Sequence, residues 1–204
     1  MATARIDTGR CDQKKRTRTA IVNAARTLIG TGADVTMPAI ARAAAVSDAT
    51  AYRYFPDLAS LLSEALVGTW PAPADALKPV ADSDDPAERV GFACEFLLRG
   101  VLARQGAVRA MIAATITRPR TATARPGFRF GLIDHALAPF GDSLAAAAPD
   151  VFAQLKRDLA VAISAEALFS LMDLCGLDAE EAVASATRTA TTLTEAAVRA
   201  AAAR

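Results

Sequence analysis

Hydrogen-bonding and aromatic side chains are concentrated in residues 36–56, whose sequence is TMPAIARAAAVSDATAYRYFP. The side chains of Thr50, Tyr52, Arg53 and Tyr54 can donate hydrogen bonds to phosphate oxygens or to base edges. The methyl group of Thr50 can also contact the methyl group of thymine. These side chains can contact DNA together only when a rigid element holds them on one surface. The secondary structure of this segment therefore decides whether it can bind DNA.

Two short helices joined by a tight turn are predicted for this segment. Thr36 is a good N-cap for the first helix, and Pro38 is tolerated within its first turn. Ser47 caps the second helix, where Asp48 suits the positive end of the helix dipole, and Pro56 ends it. A pair of helices of this kind can place its second helix in the major groove of DNA.

The alternative is an ordinary helical hairpin with aromatic residues in its core. Tyr52 and Tyr54 cannot both face inward on one short helix, because residues two apart point away from each other. Phe55 is the expected core residue, so at least one tyrosine is exposed. Small residues at Ala49 and Ala51 suit a helix that approaches a groove closely. The spacing therefore favours DNA binding over the structural hairpin.

The run from Ile21 to Leu62 resembles the DNA-binding domain of the tetracycline-repressor (TetR) family of one-component regulators. The resemblance implies an all-α protein with an N-terminal three-helix helix-turn-helix DNA-binding domain and a larger C-terminal helical ligand-binding and dimerisation domain. The matching residues are Ile21, Ala24, Ala25, Leu28, Gly32, Thr36, Ile40, Ala41, Val46, Ser47, Thr50, Tyr52, Arg53, Tyr54, Phe55, Pro56, Leu61 and Leu62.

Three residues depart from the pattern of that family. Ala45 stands where the family usually has Gly, so a left-handed turn there costs roughly 1–2 kcal/mol. Leu58 stands in place of a basic residue that commonly contacts a phosphate, and Asp48 in place of a lysine. Asp48 repels phosphate but can accept from a cytosine amino group. The operator preference of relatives therefore does not transfer to this chain.

Charge is distributed unevenly along the chain. Residues 1–56 carry nine Lys and Arg against four Asp, whereas residues 57–204 carry fourteen basic against eighteen acidic residues. The densest basic run comprises Lys14, Lys15, Arg16 and Arg18, and is either a solvated tail or an arm along DNA phosphates or the minor groove. Its position beside the groove-reading helix favours the arm. The predicted DNA-binding residues are Lys15, Arg16, Arg18, Thr36, Ser47, Asp48, Thr50, Tyr52, Arg53 and Tyr54.

Composition narrows the class of protein. An apolar fraction of 52% over 204 residues is ample for a core, and Ala, Leu and Arg dominate, which favours an all-helical fold. No signal peptide and no membrane span are expected, because the N-terminus is charged and the most apolar segment, 159–175, contains two acidic residues. Cys11, Cys94 and Cys175 are scattered, as expected for a cytoplasmic protein without a disulfide frame or metal site.

The remaining elements follow from periodicity and chain breakers. The predictions are a helix over 58–69, a loop over 70–86 with one irregular turn, helices over 85–104 and up to 116, a second loop over 117–129 containing Arg118, Arg120, Arg125 and Arg129, a helix over 130–140, and two long helices over 150–175 and 178–202 hinged at Gly176. The predicted domains are a basic arm with the start of the first helix (1–20), the helix-turn-helix domain (21–66) and the effector-binding and dimerisation domain (67–204).

The first of the two closing helices is apolar on almost all sides, and such a helix needs more than one neighbour, whereas the second is rich in Ala. A central helix of one monomer is one explanation. The resemblance instead implies a four-helix bundle between two protomers, and a homodimer places two recognition helices one DNA turn apart, as a palindrome requires. The predicted interface residues are Leu155, Leu159, Ile163, Leu171, Val183 and Leu193.

The resemblance also implies a pocket for a small effector in the C-terminal domain. Each candidate residue alone has an ordinary core role as its alternative, but together they suit an unidentified hydrophobic or amphipathic compound. The predicted lining residues are Phe92, Phe96, Arg99, Met111, Phe128, His135, Phe169 and Met172.

Enzymatic readings find little support, because His135 is the single histidine and no Gly-rich phosphate loop follows a strand. No cofactor and no metal are expected. The predicted function is a transcriptional regulator, a repressor that binds a palindromic operator in double-stranded DNA and is released by the effector. The alternative is a helical ligand-binding dimer without sequence-specific DNA recognition.

Overall fold

A computed structural model describes residues 3–32, 34–117 and 127–203, without the side chains of residues 3–11, 115 and 117. Within these ranges all regular structure is helical, as the sequence predicts. Arg118, Arg120 and Arg125 of the predicted second loop lie outside the described residues. The helices are α1 (Thr3–Ile29), α2 (Met37–Ala43), α3 (Asp48–Tyr54), α4 (Leu58–Leu66), α5 (Pro73–Ala76), α6 (Pro86–Leu102), α7 (Gln105–Thr117), α8 (Phe128–Leu137), α9 (Gly141–Ala147), α10 (Pro149–Ala162), α11 (Ala165–Asp173) and α12 (Ala179–Ala202), with 3₁₀ turns at Lys78–Val80 and Ala138–Phe140.

The chain forms two compact units. Unit 1 comprises Met1–Thr69 and Ala103–Pro126, and unit 2 comprises Trp70–Leu102 and Gly127–Arg204. This division differs from the predicted boundary after residue 66, because α7 belongs to unit 1. Helix α7 packs against α4, where the buried side chain of Met111 joins the apolar core of that unit.

The core of unit 1 is built from one face of each of its helices. In α1 the buried positions recur at Ile21, Ala25 and Ile29, four residues apart, as a helix facing a core requires. Asp57 caps α4, because its carboxylate accepts from the Ser60 amide at 2.7 Å. The core also contains Ile40, Ala41, Ala51, Phe55, Leu61, Leu62 and Ala65.

The basic run lies within α1, so the predicted basic arm over residues 1–20 is helical from Thr3 onward. Residues 10–29 contain neither Gly nor Pro, and Lys, Arg and Gln favour helix, so nothing in the sequence ends the helix before the basic run. Lys14, Lys15, Arg16 and Arg18 are therefore presented on a rigid helical support.

In unit 2, α6 packs along α12. A capping box starts α12: the Glu181 amide donates to Asp178 at 2.9 Å, and the Asp178 amide donates to Glu181 at 3.1 Å. Gly176 has φ +70°, a conformation that favours glycine, at the predicted turn before α12.

The predicted helix over 150–175 is wrong, because two helices occupy it. Helix α10 ends at Ala162, Ile163 adopts non-helical angles of φ −88° and ψ 67°, and α11 begins at Ala165. Ser164 caps α11 by accepting from the Ala167 amide at 3.0 Å. A serine within an apolar run therefore acts as a helix start and not as an interior residue.

Three further elements differ from the predicted boundaries. The predicted loop over 70–86 contains α5 and a 3₁₀ turn. Helix α8 begins at Phe128, two residues before the predicted start, and ends at Leu137. Helix α9 was not predicted. No helix in the described parts of the chain combines the length and the apolarity needed to cross a membrane.

Candidate nucleic-acid interface

Local hydrogen bonds start both helices of the α2–α3 pair. The side chain of Thr36 accepts from the Ala39 amide at 3.3 Å, and that of Ser47 accepts from the Thr50 amide at 3.2 Å. The Ser47 and Thr50 hydroxyls are also hydrogen bonded to each other at 2.9 Å. Both caps lie where the sequence predicts them, and the second orients the Thr50 side chain.

The turn between α2 and α3 is left-handed. Ala45 has φ 54°, the single non-glycine residue with positive φ among those described. The Ala45 amide donates to the Arg42 carbonyl at 3.1 Å, and the Val46 amide to the Ala41 carbonyl at 2.9 Å. The chain therefore makes the turn typical of glycine with an alanine. Val46 is half-buried and packs on the core.

Helix α3 has one face in the core of unit 1 and one in solvent. Ala51 is fully buried and Phe55 is 2% exposed, whereas Tyr52 is 51% exposed and Arg53 is exposed. Tyr54 is half-buried against the core. The predicted core role of Phe55 and the exposed tyrosine are confirmed. The predicted groove role of Ala51 is wrong, because its small side chain serves close packing within the unit.

Basic side chains of α1 lie on the same unit as this exposed face. Lys15 and Arg16 are exposed. A shallow groove is lined by Gln13 and Lys14 of α1 together with Arg53 and Tyr54 of α3. The fold therefore places Lys14 beside Arg53, two cations that are 39 positions apart in the sequence. Asp48 and Thr36 are exposed as well, and Ser47 and Thr50 lie at the start of α3.

Arg18 has protein partners in spite of its place in the basic run. Its guanidinium donates to the Tyr54 carbonyl at 3.3 Å and to the Glu64 carboxylate, and lies 4.4 Å from the centroid of the Phe55 ring. Farther along α1, Arg26 donates to the Ala65 carbonyl at 3.0 Å. Sequence reasoning missed these contacts because their partners are separated by 36 to 46 positions.

The predicted effector-lining residues are divided between the two units. Met111 belongs to the core of unit 1, whereas the others lie in unit 2. Arg99 is engaged by Glu95 at 2.8 Å and Glu180 at 2.9 Å. That guanidinium lowers the pKa of the Glu180 carboxyl below its ordinary value. Phe92, His135 and Met172 are half-buried, and Phe169 is buried.

An aromatic cluster in unit 2 does bring two of those residues together. The Trp70 ring lies 4.8 Å from Phe128 and 6.3 Å from Phe96, and Phe96 lies 6.5 Å from Phe128, measured between centroids. Trp70 was missed because it precedes a Pro-rich stretch that predicts a loop. The sequence feature that could have indicated its packing role is a single large aromatic residue directly before the prolines.

The predicted interface residues divide by burial within the single chain. Leu155, Leu159, Ile163 and Val183 are buried inside unit 2, and only Leu171 and Leu193 are half-buried. The large apolar side chains with the greatest exposure in this unit belong to Val161, 72% exposed, and Leu174, 83% exposed. These two were not predicted as interface residues.

A capped α2, a tight turn and a capped α3 with one buried and one exposed face define a helix-turn-helix domain of the DNA-binding class. Residues 21–65 match the model of the family described as bacterial regulatory proteins, tetR family. The predicted resemblance is thereby confirmed, and the chain is a DNA-binding transcriptional regulator carrying a tetR-family domain. No curated protein and no solved structure matches the chain.

Proposed function

We propose that the protein is a homodimeric repressor that binds a palindromic operator through α3 and the basic part of α1, and that a small effector bound in unit 2 releases it. The observation that carries this proposal is the two-sided character of α3. Ala51 and Phe55 anchor the helix in the core, and Tyr52 and Arg53 are left exposed for DNA.

Each exposed group has a chemical counterpart in DNA. Arg53 can donate to the O6 and N7 acceptors of guanine, and Asp48 can accept from the amino group of cytosine. Lys14, Lys15 and Arg16 suit phosphates, which position the protein without reading sequence. Lys14 lines the groove with Arg53, so a phosphate contact and a base contact can be made side by side.

A homodimer supplies the second recognition helix that a palindrome requires. The exposed side chains of Val161 and Leu174, with the half-buried Leu171 and Leu193, are the apolar groups of unit 2 that support contact with a second copy. Their exposure in the single chain is unfavourable, and burial in a dimer would remove it.

The aromatic cluster supports an effector that is hydrophobic or amphipathic. Trp70, Phe96 and Phe128 offer stacking surfaces in unit 2. In the proposed mechanism the effector favours a conformation whose two recognition helices are wrongly spaced for one face of DNA. Linkage then requires DNA to weaken effector binding by the factor with which the effector weakens DNA binding.

Selection of bound duplexes from a random pool tests this function, with binding of the selected duplex followed across a salt series. A palindromic sequence and a steep salt dependence are expected. Arg53→Ala and Tyr52→Ala should each lower the preference for the selected duplex by about tenfold without unfolding the protein. Arg157→Ala, an exposed arginine of α10 in unit 2, is the matched control and should leave the preference unchanged.

The second candidate is a helical ligand-binding dimer without sequence-specific recognition. The exposed carboxylate of Asp48 favours it, because an acid at the start of α3 repels phosphate. The same selection separates the two functions. Failure to enrich any sequence over random DNA would support this second candidate. A selected duplex that Arg53→Ala binds like wild type would instead contradict the recognition role of α3.

A further inference from the structure

One side chain of α1 connects the end of the recognition helix to α4. The Arg18 guanidinium donates to the backbone carbonyl of Tyr54, the last residue of α3, and to the carboxylate of Glu64 in α4. It also lies over the ring of Phe55, the residue that follows α3, at 4.4 Å from the centroid. The guanidinium of Arg18 thus contacts the end of α3, the residue that follows it and α4.

Such a connection matters because α3 is only seven residues long. A helix this short has little stability of its own and takes its orientation from tertiary contacts. Burial of Ala51 and Phe55 holds α3 against the core, but apolar contacts are non-directional. The hydrogen bonds of Arg18 are directional and charge-assisted, and its cation lies at the helix end where carbonyls lack partners within the helix.

We propose that Arg18 is a positioning residue for operator recognition, which fixes the direction of α3 relative to α1 and α4. This inference rests on the sequence-selective binding proposed above. It revises the expectation that Arg18 contacts DNA: the residue acts through α3, and the phosphate contacts of α1 fall to Lys14, Lys15 and Arg16.

Glu64 gives the inference a test in which two explanations predict different results. The change Glu64→Gln removes a negative charge, so simple charge attraction predicts tighter binding to every duplex. If Glu64 orients Arg18, the same change instead weakens the preference for the selected duplex. Arg18→Gln should have the same effect on preference, although it changes the net charge in the opposite direction.

The chain offers two matched controls. Arg26 is also on α1 and also hydrogen bonded to α4, through the Ala65 carbonyl, but has no contact with α3 among its described hydrogen bonds. Arg26→Gln therefore loses the same charge and a comparable link to α4. Lys15→Gln loses the charge of an exposed side chain, the behaviour expected of a phosphate contact.

The experiment uses the full-length protein with two labelled duplexes of equal length, the one selected by wild type and a scrambled version. Fluorescence anisotropy across a salt series gives the affinity ratio of the two duplexes and the salt slope. Arg18→Gln, Arg18→Lys and Glu64→Gln should each lower the ratio by about tenfold while the slope stays that of wild type. Arg26→Gln should keep the ratio, and Lys15→Gln should lower the slope by about 1.8, because a homodimer loses two phosphate contacts.

Amide hydrogen exchange without DNA provides an independent readout of the positioning itself. The Phe55 amide, bonded to the Ala51 carbonyl at 2.9 Å, should lose protection in Arg18→Gln and Glu64→Gln but not in Arg26→Gln. Unchanged exchange in both variants would overturn the inference. So would equal weakening on both duplexes with a smaller salt slope, the result for an ordinary phosphate contact. A wild type without preference, but with the expected exchange, would instead contradict the proposed function.

Discussion

The indole of Trp70 lies against the α-carbon of Gly100, so that a β-carbon at residue 100 would overlap the six-membered part of the ring. Gly100 is in α6, where alanine would otherwise be the better helix former. The close approach explains the glycine: it makes room for the aromatic cluster with Phe96 and Phe128.

The change Gly100→Ala should displace Trp70 and lower the free energy of unfolding of unit 2 by about 1–3 kcal/mol. Trp70 is the single tryptophan, so its fluorescence spectrum reports the displacement directly. Gly30→Ala is the control, because a β-carbon there meets its neighbours at ordinary distances of 3.4 Å and 3.6 Å. An unchanged emission maximum and unchanged stability in Gly100→Ala would contradict this packing.

Ala45 carries the left-handed turn between α2 and α3 at φ 54°. Glycine avoids the steric penalty of about 1–2 kcal/mol, but loses about 0.5–1 kcal/mol more conformational entropy on folding. Ala45→Gly should therefore stabilise unit 1 by about 0.5–1 kcal/mol in thermal unfolding. Ala44→Gly, at the neighbouring residue with φ −84°, lacks the steric gain and should destabilise it. Equal destabilisation by both changes would mean that the turn is not strained.

Arg89 is 3% exposed and satisfies four backbone carbonyls of unit 2. It donates to Val80 at 2.6 Å, Ala81 at 2.8 Å, Ala136 at 2.9 Å and His135 at 3.2 Å. Arg89→Ala leaves buried carbonyls without donors and should cost about 3 kcal/mol or more in urea unfolding.

Arg89→Lys should recover only part of that loss, because an ammonium group cannot reproduce the planar fork of the guanidinium. Arg157→Ala, an exposed arginine that donates to Gln154 at 3.3 Å, should change stability little. If Arg89→Ala and Arg157→Ala cost the same, the four carbonyls do not depend on Arg89.

Cys94 is fully buried, and burial raises the pKa of its thiol from an ordinary 9.0 to about 11. The folded state therefore favours the neutral thiol. The buried thiol contributes fully to the free energy of unfolding below pH 9, and this contribution is lost as the pH rises to about 11. Between those pH values the free energy of unfolding of the wild type should fall by about 2 kcal/mol more than that of Cys94→Ala, as measured by urea unfolding. Parallel pH profiles for the two proteins would contradict the shift.

The two cysteines described in unit 2 should also differ in reactivity. Cys175 is exposed, whereas Cys94 is buried, and only the thiolate reacts. In native protein at pH 8, peptide-resolved alkylation should modify Cys175 first, and Cys94 should react only after urea unfolds the chain. Alkylation of Cys94 at the rate of Cys175 in the native protein would show that the core of unit 2 opens readily.

The sequence by itself determined the elements whose causes lie within a few residues. The caps at Thr36 and Ser47, the capping box at Asp178 and the core role of Phe55 were predictable, because each depends on neighbours at helical spacing. The family resemblance was carried by the same local signals over residues 21–62. No comparable signal covers unit 2, where the effector and interface residues remain predictions.

Only the tertiary structure decided which distant residues meet. It places α7 in unit 1, Arg18 between Tyr54 and Glu64, and Trp70 against Gly100. The sequence of a basic run does not show whether it extends along DNA or forms a helix. In the same way, the presence of an arginine does not show whether its partner is a phosphate or a carboxylate. The path of the chain decides between them, because these contacts join residues tens of positions apart that local propensity cannot bring together.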